Sequence, residues 1–391
     1  MADWSKRFPI LASKTYLCSH SLGAVPAATS AALAEYYDAW ATRGIHAWEG
    51  PWWNAVLEFS SDIEKLLHAA KGTVAPMQNA TRAMAAVASC FDYKGPRNRV
   101  VLTDLEFTTF YPFWRGQERE GAELVLVESD DGVTVPLGRI EAAIDERTLL
   151  VATCHGFFRS GAVQDIGGLG RAAHRKGALL LVDGYQTAGT VPVDVKKSDV
   201  DFYVGGSHKY LCGGAGAGYL YVRPDLVPTL RPRLTGWFGL ENPFAYVKDI
   251  AGVTANEGVH RFLDGTPNVP ALYSAREGIR AVLAETVDEI RRASLGMTRH
   301  AMKRADELGL EVRTPRKDNE RTGMVCLQFP GSKEAAAALV RKDIVVDWRP
   351  DCGLRMSPHF YNSVADVDEA FEALADAAKP TPITRKAARG R

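Results

Sequence analysis

Two residues in this chain have the type and setting to do chemistry. Lys209 stands in Ser-His-Lys-Tyr-Leu-Cys-Gly-Gly, residues 207–214, between the apolar run Val-Asp-Phe-Tyr-Val-Gly and a glycine-rich loop. An unpaired ammonium is costly to bury there, so this lysine either faces solvent or is held for chemistry. Asp183 directly follows Leu-Leu-Leu-Val, where a buried parallel strand should end. Taken singly, each has an ordinary explanation, the aspartate as a turn cap and the lysine as part of a solvated loop.

Taken together they match one chemical need. A lysine that bonds covalently to pyridoxal phosphate must offer a neutral amine, which a desolvated strand end favours. An aspartate against the pyridine nitrogen keeps that ring protonated, so that it accepts electrons from a carbanion at an amino acid's Cα. The phosphate needs a cradle. The candidates are Asn79, Ala80 and Thr81, opening a helix whose free N–H groups and dipole favour an anion, with Ser207 and His208 beside the lysine.

The elements that would position these groups follow from periodicity. Strands are expected over residues 99–103, 123–127, 148–153, 178–182, 200–204 and 217–222, with helices over 81–90, 137–144 and 167–176 between them. Runs apolar on both faces and separated by helices predict an α/β fold with a mostly parallel sheet covered on both sides. Such sheets bind ligands beyond the carboxyl ends of their strands. A helical region from about 271 to 308 then leads into a β-α-β-β-α pattern. The expected organisation is an N-terminal arm and helix (1–54), a large cofactor-binding domain (55–285), a smaller α+β C-terminal domain (286–379) and a disordered basic tail (380–391).

Composition narrows the partners. Lys plus Arg and Asp plus Glu balance at 47 each over 391 residues, so no global field attracts nucleic acid or an anionic membrane, and a small molecule is the expected partner. The N-terminus lacks a signal-peptide layout and no stretch approaches the roughly 20 apolar residues of a membrane span, which predicts a cytoplasmic protein. The six cysteines form no C-x-x-C pair and the nine histidines no ligand cluster, so no metal site is expected.

The run Asp183-Gly-Tyr-Gln186, then Asp201-Phe, then Ser207-His-Lys-Tyr-Leu and Gly-Ala-Gly resembles the cofactor segment of class V, fold type I pyridoxal phosphate enzymes. That group includes cysteine desulfurases, isopenicillin N epimerases and kynureninases. Further stretches resemble kynureninases in particular. They are Ser-His-Ser-Leu-Gly-Ala-Val-Pro with Ser21, the His46-Ala-Trp-Glu-Gly-Pro-Trp-Trp segment, Thr-Gly-Trp-Phe-Gly with Trp237, Phe-Leu-Asp-Gly-Thr-Pro with Thr266, and Gly-Leu-Arg-Met-Ser-Pro-His-Phe-Tyr-Asn with Arg355. The resemblance implies a homodimer with shared active sites. It puts Trp237 and Thr266 at the phosphate of the neighbouring subunit, Arg355 on the substrate α-carboxylate, and Ser21 and His46 in the substrate pocket. It also makes Phe107 the candidate to stack on the cofactor ring, with Phe110 and Tyr111 as rivals, and Gln186 a cofactor neighbour.

The chain departs from kynureninases at His208, where they usually carry tyrosine, at Gln186, where they usually carry histidine, and at Phe107-Thr-Thr-Phe, which lacks their acid. The leading expectation is hydrolytic Cβ–Cγ cleavage of L-kynurenine or a related amino acid to alanine and an aryl acid. The alternatives are another class V reaction, namely β-elimination, desulfuration with Cys352 as the persulfide acceptor, or epimerisation or transamination, and, more remotely, an inactive binding protein on this scaffold.

Overall fold

The computed structural model describes residues 4–377, and the expected basic tail lies outside the described residues. The N-terminal segment contributes a short strand β1 (Thr15–Tyr16) and helices α1 (Thr29–Arg43) and α2 (Pro51–Leu66). Proline opens α2, where its missing N–H is no loss, and the helix buries Val56, Phe59, Ile63 and Leu66 at helical spacing.

A seven-stranded sheet follows, built from β2 (Val74–Met77), β3 (Arg99–Thr103), β4 (Glu123–Val127), β5 (Thr148–Cys154), β6 (Leu179–Asp183), β7 (Phe202–Gly206) and β8 (Gly218–Val222). Its strand order is β2-β8-β7-β6-β5-β3-β4. Strands β3 to β7 run parallel, while β8 is antiparallel to both β7 and β2. Between the strands come α3 (Ala80–Ala88), α4 (Phe110–Gln117), α5 (Leu137–Ala142) and α6 (Ile166–Arg175). All six expected strands are present. Strand β2 is an addition: its Pro76 argues against a strand in mid-sheet, but β2 lies at the edge, where proline is tolerated.

The helical region expected over 271–308 is two helices, α7 (Val269–Glu285) and α8 (Val287–Glu307). Thr286 separates them in a left-handed conformation, φ 68°, and its hydroxyl caps α8 by accepting the Glu289 N–H. Beyond them lie β9 (Glu311–Val312), β10 (Val325–Gln328), α9 (Ser332–Arg341), β11 (Ile344–Val345), β12 (Asp347–Arg349), β13 (Gly353–Met356) and α10 (Val364–Ala377). A four-stranded sheet of order β12-β13-β10-β9 forms here, and β11 leaves it to pair in parallel with β1. A second apolar core surrounds this sheet and takes in Leu17 from the N-terminal segment with Val325, Leu327, Leu354 and Phe371. No helix among the described residues is long and apolar enough to cross a membrane.

Helix α7 packs directly on the loop after Lys209. A Cβ on Gly278 would stand 2.4 Å from the carbonyl carbon of Cys212 and from the carbonyl oxygen of Leu211, backbone that cannot step aside. Gly278→Ala should therefore destabilise the protein by about 1–3 kcal/mol, read as a lower urea midpoint. Gly296→Ala in α8, with nothing within 4 Å of the new methyl group, should instead be neutral or stabilise by up to about 1 kcal/mol.

Candidate active site

Asp183 ends β6 and pairs in register with Val204 of β7, so the two strand ends that carry Asp183 and, three residues past Gly206, Lys209 lie side by side. Between them opens a cavity of about 220 Å³. Its wall includes Asp183, Gln186, His208 and Lys209 together with Ala80, Thr81 and Phe107. Helix α3 starts there because the Asn79 side chain caps it, accepting the Arg82 N–H at 3.0 Å.

Burial sets the charge states. Desolvation pulls the Lys209 amine down to about 8, partly offset by the nearby Asp183 carboxylate. Desolvation likewise pushes Asp183 up to about 6, against the Tyr185 N–H, which donates to its Oδ1 at 2.8 Å, and against Lys209. His208 is lowered to about 4 by burial and by Lys209, so it is neutral near pH 7. The Lys209 Nζ lies 5.2 Å from the centroid of the Phe107 ring and 4.9 Å from that of Tyr185.

Arg355 is nearly fully buried at 3% exposure. Its Nε and Nη2 donate to Asp347 at 2.8 and 2.6 Å, its Nη1 to the Phe158 carbonyl at 2.8 Å, and its Nη2 also to Ser21 Oγ at 3.3 Å. Phe158 lines the cavity and meets Phe107 edge to face at 5.2 Å, so the arginine stands directly behind the cavity wall.

Not every residue singled out from the sequence gathers here. The Ser207 hydroxyl sits beneath the wall and donates to the Gly214 carbonyl. His46 is exposed and pairs with Glu49, Thr266 is exposed, and Trp237 packs with Phe238 and Tyr246; none of the three lines this cavity. Among its rivals, Phe107 alone lines the cavity. Several wall residues were not anticipated. Tyr185 sits over Gly206, where any Cβ would stand 1.9 Å from its hydroxyl, and it reaches His208 Nδ1 at 3.2 Å. Thr109 faces Thr81 with the hydroxyl oxygens 2.8 Å apart. Tyr185 was visible in the Asp-Gly-Tyr-Gln motif; Thr109 had no local signal beyond following Phe107.

Cys18, His20 and Asp347 bring ligand-type atoms within 4.8 Å of one another. Asp347 is committed to a guanidinium, however, and both ring nitrogens of His20 have partners, Ser357 and Asp347. The trio is a hydrogen-bond cluster rather than a vacant ligand set.

The residues present fit pyridoxal phosphate. They supply a buried amine with a lowered pKa, a buried carboxylate at the next strand end, a capped helix N-terminus with two hydroxyls for an anion, and an aromatic face. Gln186 also lines the cavity with a buried Oε1 that has no partner among the described residues. Geometry and charge together are those that a pyridoxal phosphate site of the fold type I class requires.

Comparison with known proteins agrees. The family model described as "Aminotransferase class-V" matches residues 15–369, and the chain belongs to that family. An "uncharacterized aminotransferase YcbU" from Bacillus subtilis (strain 168) is 32% identical over 378 residues, 95% of this chain and 97% of that protein. The kynureninase of Pseudomonas fluorescens is 26% identical over 392 residues, 96% of this chain and 92% of that protein. Among solved structures, the apo cysteine desulfurase from Thermococcus onnurineus NA1 superposes with a TM-score of 0.86 at 25% identity, covering 96% and 98% of the two chains. A C-DES variant with glycine covalently linked to its PLP cofactor superposes at 0.87 with 20% identity, covering 96% of this chain and 100% of that one. Pyridoxal phosphate is the cofactor.

Only the neutral amine can attack the cofactor aldehyde. The rate at which apoprotein takes up pyridoxal phosphate, followed by absorption, should therefore rise with pH and reach its half-point near pH 8, where an unperturbed lysine would need a pH above 10.

Proposed function

We propose that this protein cleaves the Cβ–Cγ bond of L-kynurenine or a closely related aryl-keto amino acid, giving alanine and an aryl acid. One observation carries the reading. Phe107 and Phe158 form an aromatic corner beside the Lys209 amine, and the Phe158 carbonyl accepts from the buried Arg355. An amino acid whose carboxylate is anchored by Arg355 would bring a planar aryl side chain against apolar ring surface. Full-length similarity to kynureninases supports the same reading.

When bound, pyridoxal phosphate supplies an electron sink for negative charge at the substrate Cα. Asp183 holds the proton on the pyridine nitrogen. Lys209 Nζ takes the proton from Cα and returns one, acting as general base and then acid from a pKa already near working pH. The Phe107 and Tyr185 rings lie within about 5 Å of the amine and give it an apolar setting that favours its neutral form. One water is consumed, its oxygen bonding to the γ-carbonyl carbon as the Cβ–Cγ bond breaks and Cβ gains a proton.

The chain is further read as a cytoplasmic homodimer in which Trp237 and Thr266 of the partner subunit complete the phosphate site. Phe244 and Tyr246, which pack against Trp237, are exposed, as are Ile250 and Val253 further along the same segment, as a face covered by a partner would require. His46, exposed in the single chain, would have to meet substrate from such an assembly. Sulfur transfer is disfavoured, because Cys352 is fully buried and burial raises the thiols of both Cys352 and the cavity-lining Cys154.

Mixing the cofactor-loaded protein with L-kynurenine should generate anthranilate fluorescence, and Arg355→Ala should lower kcat/KM about a hundredfold. A yellow, loaded protein that makes no anthranilate at high enzyme concentration would refute the substrate while leaving the cofactor assignment intact.

A further inference from the structure

We propose that Asp347 is a positioning residue for substrate capture: it clamps one edge of Arg355 so that the other edge is presented to the α-carboxylate of the amino acid. This rests on the reading of Arg355 as the carboxylate anchor.

A guanidinium carries five N–H donors. Asp347 takes the Nε and one Nη2 hydrogen side-on, at 2.8 and 2.6 Å. The Phe158 carbonyl takes one Nη1 hydrogen, and Ser21 Oγ lies at a long 3.3 Å from Nη2. One Nη1 hydrogen and one weakly engaged Nη2 hydrogen remain, enough to meet both oxygens of a carboxylate where the Phe158 carbonyl takes the Nη1 hydrogen on the Cδ side. Held on only one side, an arginine side chain would sample other rotamers. The clamp removes that freedom before substrate arrives.

Asp347 does not leave to make room. It stands directly opposite Arg355 in the antiparallel pair of β12 and β13. Besides Arg355, it accepts from His20 Nε2 at 2.9 Å, from Ser21 Oγ at 2.6 Å and, in an ion pair at 3.1 Å, from Arg349 Nη2. Burial alone would raise its carboxyl, but His20 and Arg355 hold it well below the usual carboxylate range. Displacement by substrate would strand several of these donors in a site where the Asp347 side chain is 12% exposed. The same carboxylate cancels the charge of Arg355. What Asp347 contributes is therefore orientation, not attraction.

Every partner of Asp347 is a donor, so an asparagine there must turn its NH2 onto another donor. The test is a titration of the holoenzyme with L-alanine, followed by the change in cofactor absorption. Asp347→Asn should raise the apparent dissociation constant at least about tenfold while the absorption of the resting enzyme stays unchanged. His20→Asn keeps an amide near the Nδ1 position for Ser357 but cannot reach Asp347, and should weaken binding about fivefold. His20→Gln, with its amide near the Nε2 position, should restore it. This pair carries the test if Asp347→Asn does not fold. Unchanged or tighter binding in Asp347→Asn, or a lower melting temperature with no change in affinity per loaded site, would overturn the proposal. If Arg355→Gln also leaves L-alanine affinity unchanged, the carboxylate-anchor reading fails instead.

Discussion

Desolvation of an amine and a carboxylate at adjacent strand ends is the constraint on which the rest of this structure depends. In water, Lys209 and Asp183 would both be charged at neutral pH and of little chemical use. Inside the fold, burial moves the two toward each other, the lysine down to about 8 and the aspartate up to about 6. That environment exists only because β6 and β7 are parallel, in register and covered on both faces. The sheet thus contributes not contacts with a substrate but a dielectric in which a lysine can act as a base.

Much of this was legible in the sequence. Strands apolar on both faces, the helix opening at Asn79, and the Asp183 and Lys209 positions follow from local signals, because strand burial, capping and strand ends are encoded over a few residues. What escaped depends on pairing between distant segments. The Pro76 strand is permitted only by its place at the sheet edge, which no local window reveals. Thr109 reaches Thr81 across 28 residues, and His20 reaches Asp347 across 327. Arg355 stood out in the sequence as a candidate carboxylate anchor, in the Gly-Leu-Arg-Met-Ser-Pro run. Its partner Asp347 would have required the hairpin register, in which the two residues face each other.

The departures from kynureninases acquire a physical setting as well. His208 is neutral and joined to Tyr185, so a phenol stands beside the lysine although it comes from a different strand end. Gln186 donates to the His20 carbonyl and so ties the cavity wall to the N-terminal segment. At both positions the side chain present is held in a polar network assembled from distant parts of the chain.

The N-terminal segment from Leu17 to Ala24 links both apolar cores, Leu17 lying in the second and Cys18 and Ala24 in the first. The Gly23 N–H donates to the His208 carbonyl, the Ser19 and Tyr361 hydroxyls meet, and the Ala24 N–H reaches the same tyrosine. These partners span sequence separations of up to 342 residues. During synthesis from the N-terminus, this segment is among the first parts to emerge and among the last to find its place. Until the chain has been made as far as Tyr361, the wall around Lys209 lacks one of its braces. A functional cleft is therefore a late product of folding, and a ribosome-bound chain that stops short of Tyr361 would hold the lysine in a site still open to water.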